Sequence, residues 1–234
     1  MSAVVGMGVG TGGPMAGAYG TETVGGRYRL SFTVGGLLAE QGRIIASMAV
    51  EDGCLDGVDD DAEVGARVAA VRARAVDDDV LSVRTRAANV RMVREVVKRL
   101  SALTVRELRH LAAPGVLSDD RRALMWTAMC RYYAFVGEFA EEVLRDRFLL
   151  GYGTVDYADY DRFLHSKAMW HPELEELSPA TAAKLRSNVF KAMFEAALVD
   201  KVGNTLRPAL LGRTVTGILE HRPESFRRFP MVEG

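Results

Sequence analysis

Arg84-Thr-Arg-Ala-Ala-Asn-Val-Arg-Met-Val-Arg-Glu-Val-Val-Lys-Arg-Leu-Ser-Ala-Leu-Thr-Val-Arg-Glu-Leu-Arg-His110 decides how the chain reads. Its apolar residues recur at helical spacing. On a wheel of about 100° per residue, Met92, Val93, Val96, Val97, Leu100 and Leu103 share one arc with Val90. Arg91, Arg94 and Lys98 fall on a narrow opposite arc, at i, i+3 and i+7, and Ala87 lies among them. Thr104-Val-Arg-Glu107 fits a capping box and predicts that a second helix starts there. Eight bases against two acids make this stretch locally +6, inside a chain of 234 residues whose formal net charge is −1.

Outward from this core the pattern stays helical. Tyr28–Val34 alternates weakly, and Gly35-Gly36 opens a helical stretch, Leu37–Val50. Glu51–Glu63 carries seven carboxylates and no base, the pattern of a solvated loop, and leads into a helix around Val64–Ala75. A second acidic knot, Asp77–Asp79, follows. Ala113-Pro-Gly115 marks a break and the candidate boundary between two subdomains, residues 27–115 and 116–234. Beyond it, Ser118 is placed to cap one long helix, Asp119–Phe148. Asp159–Lys167 reads as a short helix, and Ser178-Pro179 starts another, with proline at the first helical position. The stretch Trp126–Trp170 holds 11 of the 18 aromatic residues, which at helical spacing reads as core. The expected fold is therefore all-α and compact, with little or no β structure. Residues 1–26, nine of them glycine, read as a disordered tail.

The helix predicted over Ala180–Leu198 resembles the one in the opening stretch. A shift of 93 residues lays Met92, Val96, Val97 and Leu100 on Leu185, Val189, Phe190 and Met193. The same shift lays Arg91, Arg94 and Lys98 on Lys184, Ser187 and Lys191. In both copies a polar segment precedes a helix with an outward basic stripe, the layout of a helix-turn-helix reader of duplex DNA. Arg and Lys on such a stripe reach phosphates or the guanine edge, and Asn, Ser and Thr can anchor a phosphate or read adenine. The expected DNA contacts are Arg91, Arg94, Lys98, Lys184 and Lys191, supported by Arg84, Arg86, Asn89, Thr181, Ser187 and Asn188.

Other classes find less support. The net charge of −1 excludes a protein that coats nucleic acid by bulk charge. Two cysteines, Cys54 and Cys130, make no disulfide framework, which fits a reducing, cytoplasmic setting. No apolar run approaches the roughly 20 residues of a membrane span, and the N-terminus lacks the pattern of a signal peptide. His110, His165, His171 and His221 show no metal-ligand spacing, and no nucleophile motif stands out. The expectation is a non-enzymatic chain without a cofactor or metal.

The chain also resembles a known family. The matching residues are Tyr28-Arg-Leu-Ser-Phe-Thr33, Gly35-Gly-Leu-Leu38 and Arg94–Thr104. Met125-Trp126, Cys130-Arg-Tyr-Tyr133, Phe139–Leu144 and Asp159-Tyr-Asp-Arg-Phe163 follow. Further on come His171-Pro-Glu-Leu174, Leu177-Ser178, Thr181, Lys184-Leu-Arg186 and Phe229-Pro230. Together they resemble BrxA, a small component of BREX bacteriophage-exclusion systems. The resemblance spans about residues 27–232. It implies an all-α monomer with two helix-turn-helix motifs, double-stranded DNA as partner, and a place among other BREX components. A likeness to the RNA-binding protein NusB is implied as well. The alternatives are therefore a protein-interaction adaptor within the defence complex and a NusB-like RNA binder.

Overall fold

The computed structural model describes residues 26–58 and 61–232. The expected Gly-rich tail lies, apart from Gly26, outside the described residues, as do Asp59 and Asp60 of the first acidic run. In chain order the helices are α1 (Ala39–Glu51), α2 (Val64–Ala70), α3 (Arg72–Asp77), α4 (Arg86–Leu100), α5 (Val105–Ala112) and α6 (Ser118–Tyr132). Then come α7 (Ala134–Phe139), a π-helical turn (Ala140–Arg145), α8 (Asp146–Leu149), α9 (Tyr157–Ala168), α10 (Pro179–Glu195) and α11 (Arg213–Leu219). Short 3₁₀ turns lie at Pro172–Leu174 and Pro223–Arg228. Among the described residues β structure is limited to isolated bridges, among them Thr154 with Thr205 and Val199 with Leu206, both antiparallel. The fold is all-α, as the periodicity indicates.

α6 is the axis. Every residue from 123 to 131 is buried, because Ala-Leu-Met-Trp-Thr-Ala-Met-Cys offers no polar side to water. α1, α4, α5, α10 and α11 all pack on it. Trp126 is fully buried and its Nε1 donates to the Arg228 carbonyl at 2.8 Å, so the largest core side chain keeps its one polar group satisfied. The aromatic cluster is core: Phe135 and Phe139 meet Tyr160 and Phe163 edge-on or tilted, with centroids 5.1–5.7 Å apart.

Three local expectations need revision. The long helix expected over Asp119–Phe148 breaks at Tyr133, whose backbone is extended (φ −109°, ψ 94°), and passes through the π turn before α8. Gly137 permits the sharp junction, since a Cβ there would stand 2.6 Å from the Cys130 carbonyl oxygen. Ser118 does not cap α6; Leu117 occupies that place and Ser118 is the first helical residue. The first helix starts at Ala39 rather than Leu37, because Gly36 (φ 78°) and Leu38 (φ 59°) both turn left-handed ahead of it. Thr104, by contrast, forms the expected capping box with Glu107.

Residues 28–38 run as an irregular strap over the core, turning at Phe32-Thr33 and again at Gly36. Of the weakly alternating Tyr28–Val34, Tyr28 and Phe32 are buried and Leu30 is half-buried, while the turn at Phe32-Thr33 ends the alternation. The strap has no neighbouring strand, so its peptide groups must find other partners. Side chains supply them. Glu173 accepts from the Tyr28 N–H at 2.6 Å, and Glu195 accepts from the Leu37 N–H at 2.6 Å. Asn188 donates to the Phe32 carbonyl at 2.9 Å. Arg99 donates through Nη1 to the carbonyls of Gly36 (2.7 Å) and Leu37 (3.1 Å).

Arg99 is wholly buried, and its charge is answered by Glu95, 2.9 Å away and also buried. The Tyr133 hydroxyl donates to both Glu95 oxygens at 2.8 Å. Burial, reinforced by the Glu95 carboxylate, pushes the Tyr133 phenol far above its ordinary range, so it remains a donor throughout. A second buried pair, Arg131 with Glu107, is bidentate at 2.7 and 2.9 Å. Removing one partner of such a pair strands the other charge in a dry interior. Arg99→Met is expected to cost about 3–5 kcal/mol in urea denaturation, and a change below about 0.5 kcal/mol would contradict the assigned role. Glu95→Leu/Arg99→Met is expected to cost less than the sum of the single changes.

Candidate nucleic-acid interface

α4 and α10 carry the expected DNA contacts, and both are built alike. Thr85 caps α4 by accepting from the Ala88 N–H, and Ser178 caps α10 by accepting from the Thr181 N–H, each at 3.2 Å. Thr85 and Ser178 are themselves 93 residues apart, and so are the first helical residues, Arg86 and Pro179. The repeat thus includes the cap, a feature legible in the sequence and missed there. The residues facing inward also correspond. Glu95 and Asn188 occupy equivalent positions, both are buried, and both serve the strap, Glu95 through Arg99 and Asn188 directly.

Each sequence-derived site residue has a definite place. Arg84, Arg91, Arg94, Lys184 and Ser187 are exposed. Arg86 is exposed but pairs with Asp77 at 2.9 Å. Lys98 is half-buried, with its Nζ donating to Ser31 Oγ at 3.1 Å. Lys191 is exposed and stands 3.7 Å from Glu195. Thr181 belongs to the cap of α10, its hydroxyl 2.9 Å from that of Ser178. Asn89 and Asn188 are corrections. Asn89 is 1% exposed and donates to the Val76 carbonyl at 3.2 Å, closing the turn between α3 and α4. Asn188 is 3% exposed and holds the strap. A wheel places both beside the basic stripe, but a buried backbone carbonyl claims each amide.

The local charge takes a form that counting does not reveal. Of the eight bases in the opening stretch only Arg99 is buried, while both acids, Glu95 and Glu107, are buried. The surface therefore carries the bases without the acids that would dilute them. Arg84, Arg91, Arg94 and Lys184 have no ion-pair partner among the described residues. Opposing this, Asp77–Asp79 spans the end of α3 and the turn before α4, where Asp77 holds Arg86 and Asp78 lies 3.6 Å from Arg74.

The strap brings the two helices to one surface. Lys98 of α4 touches Ser31, and a Cβ built on Gly35 would lie 3.4 Å from Lys191 Nζ of α10. Ser31 and Gly35 are four residues apart, at most about 14 Å along an extended chain. Met92 of α4 and Lys191 and Phe194 of α10 line one shallow cavity with Gly35 and Leu37. Two cationic helix faces so disposed fit a polyanion that spans both. Among the described residues no group of three His, Cys, Asp or Glu is placed to hold a metal ion, and no helix is long and apolar enough to cross a membrane. Asn188→Ala is expected to lower stability by about 1–3 kcal/mol, since it strands the Phe32 carbonyl. Lys184→Ala, at an exposed position, is expected to stay within about 0.5 kcal/mol. Denaturant titration of both variants checks this, and equal costs would contradict the division into strap-holding and outward residues.

No curated protein matches this chain. A solved structure, the crystal structure of an uncharacterized protein from Magnetospirillum magneticum, is similar in fold, with a TM-score of 0.67 at 20% identity. The match covers 88% of this chain and 100% of that one. A sequence model of BrxA matches residues 26–222. That span takes in the strap, α4, α6 and α10, and the chain belongs to the BrxA family.

Proposed function

We propose that this chain is a non-enzymatic accessory protein of a BREX phage-defence system that binds double-stranded DNA through the outward faces of α4 and α10. Membership of the BrxA family supports the BREX association. The DNA reading rests on one observation above others: two helices of matching design meet at one strap and point unpaired Arg91, Arg94 and Lys184 outward. Backbone phosphates are the partner that such faces suit, since each neutralised phosphate releases counterions. Lys98 and Lys191 flank the strap between the two faces. Arg84 and Ser187 extend them.

A second reading has its own observation. Met169 and Trp170 are 77% and 80% exposed at the end of α9, and an exposed apolar pair of this size suits a protein partner. The chain is then an adaptor within the defence complex, and DNA contact is secondary or absent. An RNA partner is the third outcome of the same experiment.

A salt-titrated mobility shift with a labelled duplex, challenged by structured RNA, tests the proposal. The expected result is binding whose log K falls with log salt by about 0.9 for each phosphate neutralised. Arg91→Glu/Lys184→Glu is expected to weaken it at least tenfold. Unchanged affinity in that variant would overturn the assignment of the faces. No shift at about 50 mM salt with micromolar protein would overturn DNA binding itself and favour the adaptor.

A further inference from the structure

The segment that follows α10 is a small hairpin with a fixed root and a free tip. Val199 bridges Leu206, and Thr205 bridges Thr154 from the loop ahead of α9. Four backbone hydrogen bonds hold the three segments together: Asp200 N–H to Thr205 O (2.8 Å), Arg207 N–H to Leu198 O (2.9 Å), Leu206 N–H to Gly153 O (2.9 Å) and Val155 N–H to Asn204 O (3.1 Å). Val155, Leu198, Val199 and Leu206 are all buried, so the root belongs to the core.

The turn is equally determined. Gly203 (φ 69°) and Asn204 (φ 50°) are both left-handed and bring the four-residue loop, residues 201–204, back to Thr205. Asp200 accepts from the Val202 N–H at 2.8 Å, and the Thr205 hydroxyl donates to the Val202 carbonyl at 3.1 Å. Arg207 pairs with Asp200. The hydrogen bond from Val202 and the Arg207 guanidinium hold the Asp200 carboxyl below its usual range. That leaves Lys201 as the one tip charge with no ion-pair partner among the described residues. Lys201, Val202 and Gly203 are exposed, Val202 to 82%.

The order along the chain is α8, a bridged segment, α9, α10, then a hairpin. A hairpin that follows the outward helix and pairs with a segment ahead of the preceding helix is the topology of a winged helix. Its position relative to α10 fits. On the α10 wheel, the exposed arc of Lys184, Ser187 and Lys191 lies between Asn188, which touches the strap, and Phe190. The Phe190 ring meets Tyr157 at 4.6 Å between centroids. Tyr157 opens α9 two residues after Val155, part of the hairpin root. The outward arc is therefore bordered by the strap on one side and by the root of the hairpin on the other.

We infer that residues 200–205 form a wing that grips the sugar–phosphate backbone of duplex DNA beside α10, with Lys201 on a phosphate and Val202 against the groove edge. Hairpins and β-ribbons reach DNA grooves in several reader classes, and a lysine at such a tip acts as a point charge on phosphate. The inference rests on the proposed DNA binding by α10 and adds a contact outside both helices. The composition of residues 200–205, one Asp and one Lys, does not single them out; their placement beside α10 does.

The test uses the full chain and a labelled duplex over a salt series, with Lys201→Ala and Lys184→Ala beside the parent. A photoreactive p-benzoylphenylalanine in place of Val202 is added, with the same group in place of the exposed Leu117 as control. The expected result is that Lys201→Ala weakens binding across all sequences and lowers the salt slope by about 1, and that the probe at position 202 crosslinks to DNA while the probe at 117 does not. If the parent binds and Lys184→Ala weakens it, while Lys201→Ala keeps affinity and slope and position 202 gives no crosslink, the wing is overturned and the α10 reading stands. If the parent itself does not bind duplex, both are overturned.

Discussion

The strap over residues 28–38 has peptide groups and no sheet to put them in. An unpaired buried peptide group costs about 1–3 kcal/mol, so a chain that lays such a segment across its core must recruit side chains for it. This one recruits Glu173, Asn188, Glu195 and above all Arg99, from three different parts of the sequence. Arg99 in turn requires Glu95, and Glu95 takes Tyr133, the residue where the long helix breaks. The kink after α6, the left-handed entry into α1 and the approach of α4 to α10 are all met at this one network. A buried ion pair adds little net stability; its role here is to hold the strap to α4.

That role explains how far the sequence could be read. The helices were legible because apolar spacing survives any context, and α10 even begins where its proline and serine place it. The capping box at Thr104 was legible because its partners are local. The kink at Tyr133 was not, since no local signal marks an extended residue inside an apolar run, and the partner of its hydroxyl, Glu95, lies 38 positions away. Alternation in the strap was visible, but its partners are side chains, and no periodicity announces an arginine bound to carbonyls.

The site followed the same division. The 93-residue repeat and its outward stripe emerged from spacing alone, and Arg91, Arg94 and Lys184 stand exposed where the wheel puts them. Asn89 and Asn188 looked like readers of DNA and instead bond carbonyls inside the protein. The fault is specific: at the border of a helix face, a short amide is equally suited to solvent or to a buried carbonyl, and only the packing decides. The reverse holds for Glu95 and Glu107. They counted against the positive charge of the stretch, yet burial removes them from the surface.

In the proposed function α4 and α10 present one surface to one duplex because the strap holds them together. Titrating a duplex of about two helical turns with the parent chain, Arg94→Ala and Lys184→Ala, and following both stoichiometry and salt slope, tests it most directly. The account predicts a single binding event of one duplex per chain, whose slope falls by about 1 in either variant. Two independent binding events, each lost in one variant and untouched in the other, would contradict it.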